Sequence, residues 1–323
     1  MKSLSEAPIK SGTRVFVRCD IDVPIENGTI AETFRLDNLL ETLKFIIEKG
    51  GIPLIAGHVG RPKGQVIEKL STRHFLPYFN EKLGENRFEI LENLRFDPRE
   101  EEKDPEFAKE LASKAEMYVN ESFGNDHREH TSIVELPKIL PSYAGFRLQK
   151  EIEVLNKIVK TPEKPLIVII GGAKPESKIP VIDKLLAMAD FVLLSSLLSA
   201  SWSKEIPRNL IISRNIDLKS TDIDSETIDD FKKYIRTAKT VLWAGPLGMY
   251  EKEEFIVGTR EIALEIAKET EEKGIYSLVG GGDTISALDK LGLLNKFSFV
   301  STGGSAMLQY LAEGTLPGIT ALN

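Results

Sequence analysis

The sequence predicts an α/β protein built on two doubly wound parallel sheets, each covered by helices on both faces in a three-layer αβα arrangement. Short apolar or β-branched runs recur along the chain, each leading through a turn into an amphipathic stretch. That alternation is the signature of βαβ units. The runs lack polar alternation, as strands do when helices cover both faces of a sheet. A length of 323 residues suits two domains of moderate size better than one.

The first run, RVFVRCDIDV (14–23), precedes RLDNLLETLKFIIEKGG, where apolar residues fall three and four apart and glycine supplies the stop. IPLIAGH (52–58) and EMYVNES (116–122) give two more strands of the first half. In LQKEIEVLNKIVKTPEKP (148–165), Ile152, Leu155 and Ile158 form a helical stripe that TPEKP ends. The seam between domains falls in this charged helix. LIVIIGG (166–172), DFVLLSSLL (190–198), LIISRNI (210–216), TVLWAG (240–245), YSLVGGG (276–282) and FSFVSTGG (297–304) supply the strands of the second half. The expected division is residues 1–150, residues 151–310 and a tail, 311–323.

At 41% hydrophobic and 28% charged, the chain can bury sizeable cores. Net charge is −7 and neither half is a basic arm, which argues against nucleic acid as a partner. A phosphorylated ligand must then be drawn in by local cationic clusters. The single cysteine, Cys19, lies in an apolar strand and reads as buried filler; with four scattered histidines it offers no zinc spacing. No stretch approaches 18 apolar residues and MKSLSEAPIK has no apolar signal core. A cytoplasmic enzyme is the expectation.

Ligands of doubly wound sheets sit beyond the carboxyl ends of the strands, and three exits here are glycine-rich: IVIIGGAKPESKIP (167–180), LVGGGDTISALDKL (278–291) and VSTGGSAMLQYL (300–311). Glycine lets backbone N–H groups approach a ligand, and the following helix presents its positive end. None fits GxxxxGK[ST], and none gives GxGxxG with an acidic residue in register. In the first, Lys174 and Lys178 stand four apart at a helix start, on one face. Two like charges there repel each other and the helix dipole. A polyphosphate between them resolves the conflict; a pair of solvated lysines is the blander alternative. Lys178 is expected to face solvent when no ligand is bound.

The first half supplies arginines. Arg35 follows AETF at a helix start, His58 and Arg61 lie in GHVGRPKG, Arg95 in LENLRFDP and Arg128 in NESFGNDHREH. The planar guanidinium suits carboxylate and phosphate oxygens. At loop positions after separate strands, the four look like a pocket for a small acid.

Taken in order, VRCDIDVP, GHVGRPKG, LENLRF, YVNESFGNDHREH, PLIVIIGGAKPESKI, VLWAGPLGMYE, GTREIA, VGGGDT, VSTGG and LPGITAL resemble the phosphoglycerate kinase family nearly from end to end. The resemblance implies two domains joined by a helix, a hinge that closes a cleft, and a C-terminal tail returning to the first domain. It implies reversible phosphoryl transfer, in glycolysis, between 1,3-bisphosphoglycerate with ADP and 3-phosphoglycerate with ATP, by a cytoplasmic monomer. The acid would lie on 1–150, held by Asp20, Ile21, Asp22, Arg35, His58, Val59, Gly60, Arg61, Arg95 and Arg128. The nucleotide with Mg²⁺ would lie on 151–310, its phosphates facing Lys174 and Lys178 and cradled by Gly281, Gly282, Asp283 and Thr284. Glu251 would reach the ribose and Asp283 would hold the metal. Arg35, Lys174 and Lys178 form the implied charge-stabilising set, since the loose transition state needs cations and no general base.

The chain departs from the family pattern at several places. It is shorter, with a segment missing around LGENRFEILENLRF, and LLSSLLSASWSKEIPRN replaces the triple-glycine exit and helices that build much of the adenine pocket. Asp22 stands where the family has asparagine, Ala244 replaces the asparagine of an Asn-Gly-Pro turn, and Ser305 replaces a third glycine. Asp22 and the remodelled adenine region support the other reading, a non-catalytic relative or one with altered acceptor or nucleotide. A nicotinamide dehydrogenase is disfavoured by the missing GxGxxG.

Overall fold

The computed structural model describes all residues except 27 and 217–220, and all their side chains except that of Ser177. The chain forms two units, Met1–Val154 with Thr315–Asn323, and Leu155–Gly314.

The first unit contains β1 (Arg14–Cys19), the short antiparallel pair β2 (Ile25–Glu26) and β3 (Thr29–Ile30), β4 (Ile52–Ala56), β5 (Glu89–Ile90), β6 (Met117–Glu121) and β7 (Ser142–Ala144). Its parallel sheet runs β5-β4-β1-β6-β7. Both faces are buried, as the unbroken apolar runs require. Val15, Val17 and Cys19 point into one core with Leu43, Phe75 and Phe79, while Phe16 stacks on Tyr118 across the other face. The helix expected over 35–51 is two, Phe34–Asp37 and Leu40–Glu48. Asn38 interrupts it by turning its Nδ2 onto Phe34 O at 2.6 Å, the backbone competition that makes Asn a poor interior residue. The sequence runs gave no sign of β5 or β7, which are too short to carry a period.

The buried end of β6 is acidic. Glu121 accepts N–H bonds from Arg147 and Leu148, each at 3.0 Å, and a bond from Thr42 Oγ1. It thereby caps the helix Phe146–Lys160, within which the boundary between the units falls. Burial raises its pKa to about 7. Asp126 is likewise enclosed: Asn120 Nδ2 donates to its Oδ1 at 2.7 Å, and its carbonyl accepts Gly318 N–H of the C-terminal segment. Burial lifts the Asp126 carboxyl to about 8, so the folded state holds a proton that the unfolded state releases near 3.8. Its contribution is complete below pH 3.8 and is lost as pH rises through 8. Asp126→Asn is therefore expected to raise Tm more at pH 8 than at pH 5, read by thermal scans at both values.

The second unit contains β8 (Leu166–Ile170), β9 (Phe191–Leu194), β10 (Leu210–Ile211), β11 (Thr240–Ala244), β12 (Tyr276–Gly280) and β13 (Phe299–Ser301), in the parallel order β10-β9-β8-β11-β12-β13. Every residue of the central strands β8 and β11 is buried. The run DFVLLSSLL stops being a strand at Leu194, and Ser196–Ser201 is helical. Ser199 turns the chain there by donating to Leu194 O at 3.2 Å. In both sheets strand order reverses beside the first strand, between β1 and β6 and between β8 and β11. Such reversals open the crevices in which ligands bind. Among the described residues no helix is long and apolar enough to cross a membrane.

Candidate active site

At the β8/β11 crevice the two strand exits almost touch. Gly171 N donates to Ala244 O at 2.9 Å and Gly172 N to Pro246 O at 2.6 Å. A Cβ on Gly171 would lie 2.7 Å from Gly245 O, so only glycine permits this approach. Gly172 and Gly245, at φ +80° and +90°, leave room for one side chain between them. Cβ atoms built there would lie 2.7 and 2.9 Å from Lys178 Nζ. The ammonium occupies that cradle and donates to Gly171 O.

The two lysines do not share a helix face. Pro175 opens the helix Pro175–Met188 and disfavours right-handed helical backbone in the residue before it; Lys174 stands outside the helix as a left-handed N-cap at φ 66°. Lys178 is half-buried rather than solvent-facing, since it folds back onto Gly171. Burial lowers its pKa to about 8; Asp283 opposes that shift and Lys174 adds to it.

A cleft of about 360 Å³ opens beside this point, lined by Gly172, Ala173, Tyr250, Glu251 and Asp283 among others. Asp283 and Glu251 are exposed. Gly281 at φ +106° caps the helix Gly282–Lys290, with Asp283 in its first turn. Thr284 is buried, its Oγ1 accepting Gly245 N–H at 2.8 Å, which ties the β12 exit to the β11 exit. Among the described residues no three His, Cys, Asp or Glu side chains group as a metal cluster. Asp283 alone suits a Mg²⁺ ion held largely by phosphate oxygens and water. Ser195, Thr221 and Tyr250 also line the cleft. Sequence reading missed them because lone hydroxyls in irregular segments carry no pattern.

In the first unit the exits of β1, β4 and β6 converge. Arg18, fully buried on β1, donates to Ser132 Oγ (2.8 Å), Cys19 O (2.6 Å) and Ser122 Oγ (3.2 Å), and its Nη2 lies 3.0 Å from His58 Nδ1. A guanidinium only donates, so His58 Nδ1 accepts and the ring proton sits on Nε2. Burial first, then Arg18, Arg95, His130 and Arg128, hold His58 well below the usual histidine range, hence neutral. Its Nε2 points toward Asp22 Oδ2 at 3.7 Å, while Asp22 Oδ1 accepts Gly60 N–H at 2.8 Å.

Arg35 Nη1 donates to Asp22 O at 2.6 Å and lies 3.6 Å from Asp20 Oδ1. Burial raises the Asp20 carboxyl despite Arg35. Arg95 is buried, donates to Gly60 O at 2.8 Å and sits 3.1 Å from Glu101 Oε1; burial brings it down to about 10. Burial lowers Arg128, and Arg61 adds to that. Ile21 and Val59 are core residues, whereas Arg61 is exposed. Arg18, His127 and His130 belong to the same basin, the histidines pushed by burial and neighbouring arginines to about 4 and about 3. Arg18 had a signal in the sequence, one cation inside an otherwise apolar strand.

A basin of mutually repelling cations is stabilised by an anion that enters it. Asp22, 40% exposed at its side chain, opposes such a ligand. Asp22→Asn is expected to lower KM for an acidic substrate about fivefold, as removal of roughly 1 kcal/mol of partly screened repulsion. The Gly60 bond survives on the amide oxygen. Steady-state titration of the acid checks this, and an unchanged KM would separate Asp22 from the pocket.

The sequence model of the family described as phosphoglycerate kinase matches residues 6–89, 81–205 and 198–314. The chain is 35% identical to phosphoglycerate kinase of Thermosipho africanus over 383 residues, covering 96% of this chain and 95% of the relative. It is 35% identical to cytosolic phosphoglycerate kinase of Triticum aestivum, covering 99% and 98%. Both alignments are longer than the chain, so these relatives carry segments that it lacks. Among solved structures, phosphoglycerate kinase of Pyrococcus horikoshii superposes with a TM-score of 0.83 at 26% identity over 100% of this chain and 98% of that one. The protein of Coxiella burnetii does so at 0.77 and 28%, over 99% and 98%.

Proposed function

Because the chain belongs to the phosphoglycerate kinase family, we propose that it transfers a phosphoryl group reversibly between ATP and the carboxylate of 3-phosphoglycerate. The observation that carries this is Lys178, whose ammonium is held between Gly172 and Gly245 beside a cleft that Gly172 and Asp283 line. A fixed cation at that place serves charge that spreads over the oxygens of a migrating phosphoryl group.

The second unit, by this reading, takes the nucleotide, its phosphates near Lys174, Lys178 and the helix start at Gly282. The first takes the acid, in the basin of Arg35, His58, Arg61, Arg95 and Arg128. One carboxylate oxygen attacks the γ-phosphorus, the bond to the bridging oxygen breaks, and ADP leaves with the electron pair. The attacking carboxylate is already ionised, so no side chain removes a proton. Arg35 and the lysines neutralise charge and orient the reactants. Mg²⁺, held at Asp283, supplies further neutralisation of the phosphates when bound. The protein acts in glycolysis, as a monomer in the cytoplasm.

ADP-dependent formation of ATP from 1,3-bisphosphoglycerate, in a coupled assay with Mg²⁺, is the test. Turnover of at least ~1 s⁻¹ is expected, the low end for kinases. Retained ligand binding without turnover would overturn catalysis.

A further inference from the structure

The cleft beside β8 and β11 is lined from strand exits on both sides of that pair. Asp283 follows β12 and Ser195 follows β9, and those strands lie on opposite sides of the β8–β11 pair. The lining also includes Leu197, Leu247 and Met249, with the hydroxyls of Ser195, Thr221 and Tyr250. Apolar side chains interspersed with a few hydroxyls suit the flat ring of a nucleotide better than its phosphates.

Ser195 differs from the serines around it. Ser195 is 2% exposed, and its Oγ has no hydrogen-bond partner. The serines around it are all engaged. Ser196 Oγ reaches Asn215 Oδ1 at 2.8 Å, Ser199 Oγ reaches Leu194 O at 3.2 Å, and Ser213 Oγ reaches Asn215 Oδ1 at 2.5 Å. A buried hydroxyl without a partner is unfavourable and calls for an explanation. The backbone at Ser195 is pinned by its N–H bond to Ile170 O, 3.0 Å, so rotation about χ1 is the freedom left to the side chain.

We propose that Ser195 is a specificity-determining residue of this cleft, turning its hydroxyl to the polar edge of the bound base. The proposal deepens the nucleotide reading and rests on it. A hydroxyl both donates and accepts, so it meets the 6-oxo group of hypoxanthine as well as the amino edge of adenine. The site is rejecting only toward a ring that offers no polar partner.

The test measures KM and kcat for ATP and for ITP, at saturating 3-phosphoglycerate, in the wild type, Ser195→Ala and Ser195→Thr. The wild type is expected to use the two nucleotides with kcat/KM values within about tenfold. Ser195→Ala should raise both KM values about fivefold, the loss of one neutral hydrogen bond, while kcat moves far less. Ser195→Thr should restore the wild-type KM. Unchanged KM values in Ser195→Ala, or a wild-type preference above about a hundredfold for one nucleotide, would overturn the proposal. Should the alanine variant fail to fold, the wild-type ratio and the threonine variant still decide. A wild type inactive with both nucleotides would instead overturn the reading on which this one rests.

Discussion

Lys178→Ala is expected to lower kcat by about 10³ while the protein stays folded. The magnitude is that of removing one preorganised charge donor from a transition state, at the upper end because the donor is a full cation. The fold should tolerate the change because Lys178 is held at a cost. Its folded pKa of about 8 lies below the ordinary 10.5, so the unfolded state binds the extra proton. Its unfavourable term is complete below pH 8 and relieved as pH rises toward 10.5. Truncation should therefore leave stability at pH 7 unchanged or higher. The wild-type rate should fall on the alkaline side with an apparent pKa near 8 for the free enzyme. Lys178→Arg should not rescue, because a planar fork does not fit between Gly172 and Gly245. A Lys178→Ala enzyme within about tenfold of wild type would remove the residue from the chemistry.

Arg18→Leu should be the most damaging single change to stability in the first unit, costing roughly 3–5 kcal/mol. The guanidinium is fully buried and reaches the carboxylate of buried Glu100 through Ser132, whose Oγ donates to Glu100 Oε1 at 2.6 Å. Without Arg18 that carboxylate loses its nearby cation, and burial drives it to protonate. His58 also loses the donor that fixes its ring proton, which should raise KM for the acid. Denaturant unfolding measures the first effect and steady-state titration the second. Adding Glu100→Gln should recover part of the stability, as expected for coupled partners. A loss below about 1 kcal/mol would mean that the network is better solvated than its geometry indicates.

Much of the architecture was legible because it depends on period and composition. The long central strands, β1, β4, β6, β8 and β11, are mostly apolar and buried on both faces, and that pattern is local. The two-residue strands β5 and β10 and the three-residue β7 depend on neighbours far along the chain; only β10 lay inside a visible run. The helix over 35–51 failed at Asn38, where one side chain outcompeted propensity. Gly171 and Gly245 could be noticed as glycines, but not that each stands against the other. Lys174 and Lys178 were visible as a pair, while the left-handed backbone that takes Lys174 off the helix was not. Arg18 is instructive: a charged residue in VFVRC is an anomaly that sequence alone can register, but its partners Ser132 and His58 lie far away in sequence.

The last nine residues, Thr315–Asn323, belong to the first unit, although the whole second unit is translated before them. Gly318 reaches Asp126 from that segment. A nascent chain can thus assemble the sheet of residues 14–144 early, but cannot cover it with residues 315–323 until residues 155–314 have been made. The unit made first is completed after the second, so its surface under residues 315–323 stays uncovered while residues 155–314 are made.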